Sequence, residues 1–358
     1  MTQITTIGLD LAKNVFQVHG VDANGQVLLR KTLRRSQMLA FFEQLRPCLI
    51  GIEACATAHY WARTLQSLGH EVRLISPTYV KPYVKRQKND VADAAAICEA
   101  VSRPSMRFAP VKSVEQQSHL MLHSARELLI TQRTALINAL RAHFSELGIV
   151  AAEGARNVRN LLNLLEQQKE SVTETTNIPK VAITALQPLA EMLLETDKQI
   201  AKLDREILAL HRDNGTSNRL ATIPGIGVLT ATYMTASLAA FANQFSCGRE
   251  FAAYLGLVPR QYSSGGKPRL GRISKMGNRH LRKLLVVGAT AALYSIRKGT
   301  SQSALAVWAR QLLEKKPFRL VAVALANKMA RIAWAVIVHE RDYQADIKPN
   351  RLIHTQTA

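Results

Sequence analysis

Four carboxylates in the first hundred residues have the types and spacing of a metal-dependent nucleic-acid-processing centre. Asp10 and Glu53 each end a predicted strand, and Asp90 and Asp93 stand three residues apart at the start of a predicted helix. Strand ends of an open sheet meet at one crevice, and an i, i+3 pair shares one helix face. Clustered carboxylates repel one another unless divalent cations lie among them, and hard oxygen ligands favour Mg²⁺ or Mn²⁺ over zinc. Such ions stabilise the attacking and leaving oxygens of a phosphoryl transfer.

Each of these acids also has an ordinary structural explanation. An Asp after a strand is often a turn residue, Asn89-Asp90 is a common way to cap a helix, and Asp93 fits a solvated helix face. For any one residue alone, the ordinary explanation is the better one. All four fall at the positions that a single fold requires, and this coincidence favours the metal centre.

The elements that must position these acids follow from the pattern of apolar residues. The pattern predicts three strands, then helix–strand–helix–strand–helix, over residues 4–10, 15–20, 26–31, 36–45, 49–53, 57–68, 72–76 and 89–101. This order is typical of an α/β RNase H-like (RuvC-like) domain. Periodicity alone leaves a Rossmann-like sheet nearly as well supported.

The remaining chain is predicted to be mainly helical, and the predicted domains are residues 1–112, 113–215, 216–342 and a tail, 343–358. In the middle domain, apolar residues at heptad spacing over 193–210 predict a short coiled coil for dimerisation or a helix packed within one chain. In the C-terminal domain, the turn at residues 223–227, IPGIG, resembles a helix-hairpin-helix turn. There Gly225 and Gly227 would hold a DNA phosphate through backbone N–H groups, and an ordinary turn fits equally well.

Composition excludes several classes of protein. A net charge of +21 over 358 residues, with a pI near 10.2, indicates a polyanionic partner such as nucleic acid and disfavours an enzyme of small metabolites. No run of residues approaches the ~18 apolar residues of a membrane span, so no membrane association is expected. The four cysteines lack CxxC spacing, which argues against zinc and disulfides. Without a signal peptide, the chain is predicted to be cytoplasmic.

A basic segment marks the C-terminal domain. Residues 251–313 contain no Asp or Glu, so we interpret this stretch as a polyanion-binding face. The candidate nucleic-acid-binding residues there are Arg260, Lys267, Arg269, Arg272, Lys275, Arg279 and Arg282, joined in the first domain by Lys85, Arg86 and Lys88. Ser263 and Ser264 lie in a glycine-flanked loop within this segment. On chemistry alone, such a serine binds a phosphate, attacks one when activated, or is a plain loop residue.

Several of these segments resemble the DEDD transposases of the IS110 group of insertion sequences, including its IS1111 branch, which are related to Piv-type invertases. The matching segments are GLVPRQYSSGGK at 256–267, GRISKMGN at 271–278 with LR at 281–282, GLDLAK at 8–13, the strand end at Glu53, and KNDVAD at 88–93. The resemblance covers nearly the whole chain.

The resemblance implies a mechanism that composition does not. Asp10, Glu53, Asp90 and Asp93 would hold Mg²⁺, and a serine immediately before the first glycine of the motif would attack DNA and form a phosphoserine link. That serine is Ser264, with Ser263 as the second choice. The resemblance also implies a structured guide RNA encoded by the element. The protein would form a homo-oligomer, a dimer or tetramer, whose two domains meet across subunits.

Three hypotheses remain at this point. The first is an insertion-sequence transposase that cuts and rejoins DNA with the acids and a serine. The second is a Holliday-junction resolvase or invertase that uses the metal centre alone, with water as nucleophile. The third is a non-catalytic nucleic-acid-binding protein with a degenerate nuclease fold.

Overall fold

The computed structural model of the protein describes residues 3–84, 89–152, 154, 157–170, 178–299 and 301–345. The chain divides into two compact units, residues 1–117 (unit 1) and 118–358 (unit 2). Unit 1 is a mixed α/β domain and unit 2 is mostly helical, which confirms the predicted classes of the two ends of the chain.

Unit 1 is built on a six-stranded sheet of order β3-β2-β1-β4-β5-β6. The strands are β1 Thr6–Leu11, β2 Val15–Val21, β3 Val27–Arg34, β4 Leu49–Glu53, β5 Glu71–Ile75 and β6 Phe108–Ala109. The first three strands form an antiparallel meander, β4 and β5 run parallel to β1, and β6 is antiparallel to β5. This topology is consistent with the predicted RNase H-like order.

The helices of unit 1 are α1 Met38–Glu43, α2 Ala58–Ser67, α3 Pro77–Val80 and α4 Asp90–Val101. A core that includes Phe16, Phe42 and Trp61 packs α1 and α2 on the sheet, with the ring of Trp61 edge-on to Phe16 at 5.4 Å. A smaller cluster that includes Ile97 and Val101 of α4 lies apart from it. The sequence prediction missed α3 and the two-residue β6, both of which are too short for a periodic pattern.

Unit 2 begins with long helices. They are α5 Val114–Glu146, which starts at the end of unit 1, α6 Val158–Glu170 and α7 Lys180–Arg212. Ion pairs join Arg126 to Asp204 and Arg133 to Asp197, so α5 and α7 run antiparallel along each other. In the heptad seam of α7, Leu193, Ile200 and Ile207 are buried within the unit, which fits the helix packed within one chain. The use of this seam for dimerisation stays a prediction.

The rest of unit 2 is a helical cluster with one small hairpin. Its elements are α8 Gly215–Ala221, α9 Val228–Leu238, α10 Gly248–Tyr254, β7 Pro259–Gln261, β8 Leu270–Ile273, α11 Arg279–Lys298, α12 Ala304–Lys315 and α13 Phe318–His339. By length and composition α13 is the one described helix that is apolar enough to cross a membrane, although Arg319, Lys328 and Arg331 interrupt its apolar residues. Half of its most apolar stretch is buried in the unit, where Leu325, Met329 and Ala333 belong to the core.

Candidate active site

Two of the four acids are placed by neighbouring parallel strands. Asp10 lies next to the end of β1 and Glu53 ends β4, and the pairing of Leu9 with Ile52 brings both acids to the same end of the sheet. The buried residues that precede each acid hold the strand in the core, while both acids are half-buried at its edge. The carboxyl ends of parallel strands are where open sheets present functional side chains.

The other two acids are placed by the first turn of α4. The Asn89 side chain caps this helix by accepting a hydrogen bond from the backbone N–H of Ala92 at 2.8 Å. Asp90 and Asp93 follow in the first turn, where the helix dipole favours negative charge. Asp90 is exposed and Asp93 is half-buried.

Two glycines allow α4 to lie directly on the sheet. Gly8 of β1 and Gly51 of β4 are partners in the strand register. A Cβ on Gly8 would collide with the backbone of α4 at Ala94 and Cys98, and a Cβ on Gly51 would lie 2.7 Å from the Val101 Cβ. This close approach brings the start of α4 to the strand ends that carry Asp10 and Glu53.

The four acids act on one another electrostatically. The pKa of Asp10 is raised from 3.8 to about 6, first by burial and then by the charges of Asp90, Asp93 and Glu53. Within the described part of the chain, however, no group of three or more His, Cys, Asp or Glu side chains is close enough to hold a metal ion. The acids therefore lie in one region and influence the pKa of Asp10, but they are not close enough together to form a metal-binding site.

The serine motif forms a β-hairpin, which the sequence prediction described only as a loop. We call β7, β8 and the residues 262–269 between them the serine hairpin. At its tip, Gly265 and Gly266 have φ of 54° and 72°, and the N–H of Lys267 donates to the carbonyl of Ser264 at 3.1 Å. Two successive residues with positive φ define a type I′ turn, which two glycines adopt without strain. Residues 259–272 are all exposed.

The structure distinguishes the two serines of the hairpin. The hydroxyl oxygen of Ser263 accepts hydrogen bonds from the backbone N–H of Arg269 at 3.1 Å and from Gln261 Nε2 at 3.0 Å. Across the described residues, no hydrogen bond engages the hydroxyl of Ser264, which projects from the start of the turn. Ser263 therefore braces the hairpin, and Ser264 has a hydroxyl available for another partner.

The base of the serine hairpin is fixed by close backbone packing and by one arginine. Gly256 and Gly277 have positive φ, and a Cβ on either would collide with backbone, at Met276 and Tyr254 respectively. The guanidinium of Arg282 donates to the carbonyls of Leu255 and Met276 at 3.1 and 2.6 Å. Burial, and then the charge of Arg279, lower the pKa of Arg282.

The predicted basic residues fall into three groups. An exposed group on and beside the hairpin comprises Arg260, Lys267, Arg269, Arg272, Lys275 and Arg279. Arg282 is half-buried, and its guanidinium donates hydrogen bonds to two backbone carbonyls. It therefore stabilises the base of the hairpin, and binding of nucleic acid by this residue stays a prediction. Lys85, Arg86 and Lys88 lie outside the described residues.

The Pro-Gly turn joins α8 to α9, as a helix-hairpin-helix-like turn requires. A Cβ on Gly225, which has φ of 89°, would lie 2.8 Å from the carbonyl oxygen of Gly288 in α11. Gly225 is therefore needed for packing. Gly227 is exposed directly before α9, with open space around it.

Sequence reasoning missed a polar cluster behind the serine hairpin. The side chain of Asn278 caps α11 through the N–H of Leu281 and donates from Nδ2 to the hydroxyl of Tyr233 at 2.9 Å. Tyr233 also packs edge-on against the ring of buried His123, 5.3 Å away between ring centres. These residues come from three distant segments, so no local spacing in the sequence could have indicated the cluster.

Comparison with known proteins identifies the family to which this chain is similar. A model of the DEDD transposases of IS110 matches residues 7–149, and a model of the transposase IS116/IS110/IS902 family matches residues 217–305. The first match spans the four acids and the second spans the serine hairpin.

Whole-chain relatives agree with the family models. A probable family 20 transposase of Pseudomonas aeruginosa is 48% identical over 95% of this chain and 99% of its own length. The transposases for insertion sequence elements IS1328 of Yersinia enterocolitica and IS1111A of Coxiella burnetii are each 40% identical. The alignments cover 94% and 96% of this chain, and 97% and 92% of those proteins. With acids at one sheet end, a serine on a basic hairpin and relatives matched almost end to end, this chain belongs to the IS110/IS1111 family of insertion-sequence transposases.

Proposed function

We propose that this transposase excises and inserts its element by cutting and rejoining DNA strands, with a divalent metal ion at the four acids and Ser264 as nucleophile. The observation that carries the proposal is the exposed Ser264 hydroxyl at the tip of a basic hairpin, beside a Ser263 hydroxyl that is already engaged. The proposed fold of unit 1 is RuvC-like, and its sheet order supports this assignment.

The four acids are chemically suited to bind a divalent ion, and they are Asp10, Glu53, Asp90 and Asp93. All are hard oxygen donors suited to Mg²⁺ or Mn²⁺. Burial raises the pKa of Asp10 most, and the charges of the other three acids raise it further, a repulsion that a cation would offset. Divalent ions are general to DEDD transposases. When bound, such an ion neutralises developing charge on phosphate oxygens.

The chain's own residues supply the nucleophile and the binding of the DNA. In the proposed step, the Ser264 Oγ forms a bond to a DNA phosphorus and the bond from phosphorus to a deoxyribose oxygen breaks. Serine loses its proton, and the leaving oxygen takes one up. Cations on and beside the hairpin, Arg260, Lys267, Arg269, Arg272, Lys275 and Arg279, would hold the phosphate backbone. Gly227, Lys85, Arg86 and Lys88 remain proposed DNA contacts.

A structured guide RNA and a homo-oligomer complete the proposal. The net charge of +21 supports a second polyanion besides DNA. Sequencing the RNA that co-purifies with the protein tests the guide: one defined noncoding RNA supports it, and random host fragments contradict it.

The nucleophile is tested with labelled DNA that carries the sequence flanking the gene. Ser264→Ala should abolish the covalent protein–DNA adduct that survives denaturing electrophoresis, and Asp10→Asn should abolish recombination. Ser263→Ala is the matched control, because it removes a neighbouring hydroxyl that the hairpin uses internally, and it should retain the adduct.

Two outcomes would replace the proposal. An adduct with Ser264→Ala protein would refute the nucleophile. Metal-dependent cutting of a four-way junction without any adduct would favour a resolvase that uses water.

A further inference from the structure

A cavity of about 110 Å³ opens beside Asp10, on the sheet face on which α4 lies. Its lining includes Gln17 and His19 of β2, Arg30 and Thr32 of β3, and Val91 and Ala94 of α4. One water needs roughly 10–15 Å³ of such space, so the cavity is large enough for a phosphate-sized group with solvent.

Strand register fixes the position of this cavity relative to the acids. Asp10 pairs with Gln17, and Gln17 pairs with Thr32, so these three residues form a row across β1, β2 and β3. His19 and Arg30 pair in the next row inward, level with Gly8. Paired residues point to the same face, and neighbouring strands lie about 4.8 Å apart. The cavity therefore begins within one or two strands of Asp10.

His19 forms a buried part of the cavity wall. Its side chain is 8% exposed, and its Nδ1 atom is fully buried without a hydrogen-bond partner among the described residues. Because solvent does not reach Nδ1, this atom is enclosed by protein and does not face a ligand in the cavity. Burial, and then the charge of Arg30, lower the pKa of His19.

The remaining lining is cationic and rich in hydrogen-bond donors. Arg30 is exposed and brings a guanidinium to the mouth. The Thr32 hydroxyl donates to Gln17 Oε1 at 2.9 Å, and among the described residues no hydrogen bond engages the amide nitrogen of Gln17. The lining residues include no Asp or Glu. A guanidinium and an amide are a donor set suited to an anionic oxygen ligand.

We propose that this cavity is a subsite for a backbone phosphodiester of DNA, next to the phosphate on which the carboxylates act. This inference rests on the proposed function, because it takes DNA as the strand lying at Asp10. Arg30 supplies the charge, while Gln17 supplies a hydrogen bond that fixes the strand's direction across the meander. The subsite carries no sequence preference, since it contacts only the backbone.

The experiment compares Arg30→Gln with Arg46→Gln. Arg46 has the same charge and is exposed, but it precedes β4, at the opposite end of the sheet from the acids. DNA duplexes carrying the flanking sequence of the gene would be bound at several salt concentrations. Arg30→Gln should weaken binding about tenfold and reduce the slope of log K against log salt by about 1, while Arg46→Gln leaves both unchanged.

Single neutral methylphosphonates in the same duplexes locate the contact. A methylphosphonate at one position near the cleavage point should weaken binding by the wild-type protein as much as Arg30→Gln does. The same methylphosphonate should not weaken binding by the Arg30→Gln protein any further. Gln17→Leu should also weaken binding of the unmodified duplex. The subsite would be overturned if Arg30→Gln and Arg46→Gln had the same affinity and salt slope. It would also be overturned if the affinity losses from Arg30→Gln and from a methylphosphonate added together at every position.

Failure of the subsite and failure of the proposed function give different results. If Asp10→Asn abolishes strand exchange while Arg30→Gln behaves like Arg46→Gln, only the subsite is wrong. If Asp10→Asn protein still exchanges strands, the proposed role of the carboxylates is wrong.

Discussion

The carboxylate end of the sheet in unit 1 and the serine hairpin in unit 2 differ in how the chain holds them. The acids stand at the ends of strands whose neighbours are buried, under a helix that lies on Gly8 and Gly51. Ser264 stands on an exposed turn that is held by its own backbone hydrogen bonds and by contacts at its base. Substitutions in the first region should therefore lower the free energy of unfolding. Substitutions at the hairpin tip should instead lower activity while the protein stays folded.

The largest effect is expected for Gly8→Ala. The added Cβ collides with the backbone of α4, so the helix must move, and unit 1 should lose about 3 kcal/mol of unfolding free energy. Gly227→Ala is the control: its Cβ meets nothing, and the loss should stay within about 0.5 kcal/mol. Calorimetry measures both. Equal unfolding midpoints would show that the close approach of α4 is not required.

Arg282→Gln should have the next largest effect, and it tests the base of the hairpin. The substitution removes charge-assisted bonds to two carbonyls, which should cost unit 2 about 2 kcal/mol. Arg272→Gln, on the exposed part of the hairpin, should leave the melting temperature unchanged and weaken DNA binding. If the two variants lose the same stability, Arg282 does not anchor the hairpin.

A substitution at the tip should separate activity from stability. Gly265→Ala places a Cβ in the left-handed region, at a cost of about 1 kcal/mol, and no neighbour resists it sterically. Adduct formation should fall much further, because the strained residue follows Ser264. Gly265→Asn should restore much of the activity, since Asn tolerates this conformation better. Unchanged adduct formation in the alanine variant would show that turn geometry does not position the serine.

The smallest effect concerns the charge of Asp10 in chelator-treated protein. Its pKa is raised in the folded state, so it favours folding below pH 4 and loses that contribution as the pH rises through about 6. At pH 7, Asp10→Asn should therefore be more stable than wild type. Partial exposure limits the gain to less than about 1 kcal/mol. Urea unfolding at pH 3.5 and 7 tests this, with Ser264→Ala as the control that shows no such difference.

The sequence predicted unit 1 well because its signals are local and periodic. The strand Leu49–Glu53 has the predicted bounds, and Asn89 caps α4 where the sequence placed the helix start. The order of elements then placed Asp10 and Glu53 at one end of the sheet. The close approach at Gly8 and Gly51 was not predictable from the sequence, because the contact that requires each glycine comes from a helix some fifty to ninety residues away.

The hairpin was missed for a different reason. Its strands have three and four residues and are almost entirely exposed, so no alternation of buried and polar residues marks them. The Gly265-Gly266 pair was an available signal, since Gly-Gly between two short strands is typical of a type I′ turn.

The pairing of Gly8 with Gly51 beneath α4 has a consequence for amide hydrogen exchange. Both glycines lie in central strands and are covered by a helix that cannot shift without disturbing the sheet, so their amides should open only when unit 1 unfolds globally. Amides at the hairpin tip, by contrast, should exchange through local opening. The protein would then keep its four acids at the slowest-exchanging part of unit 1 and Ser264, the proposed nucleophile, at one of the fastest-exchanging parts of unit 2.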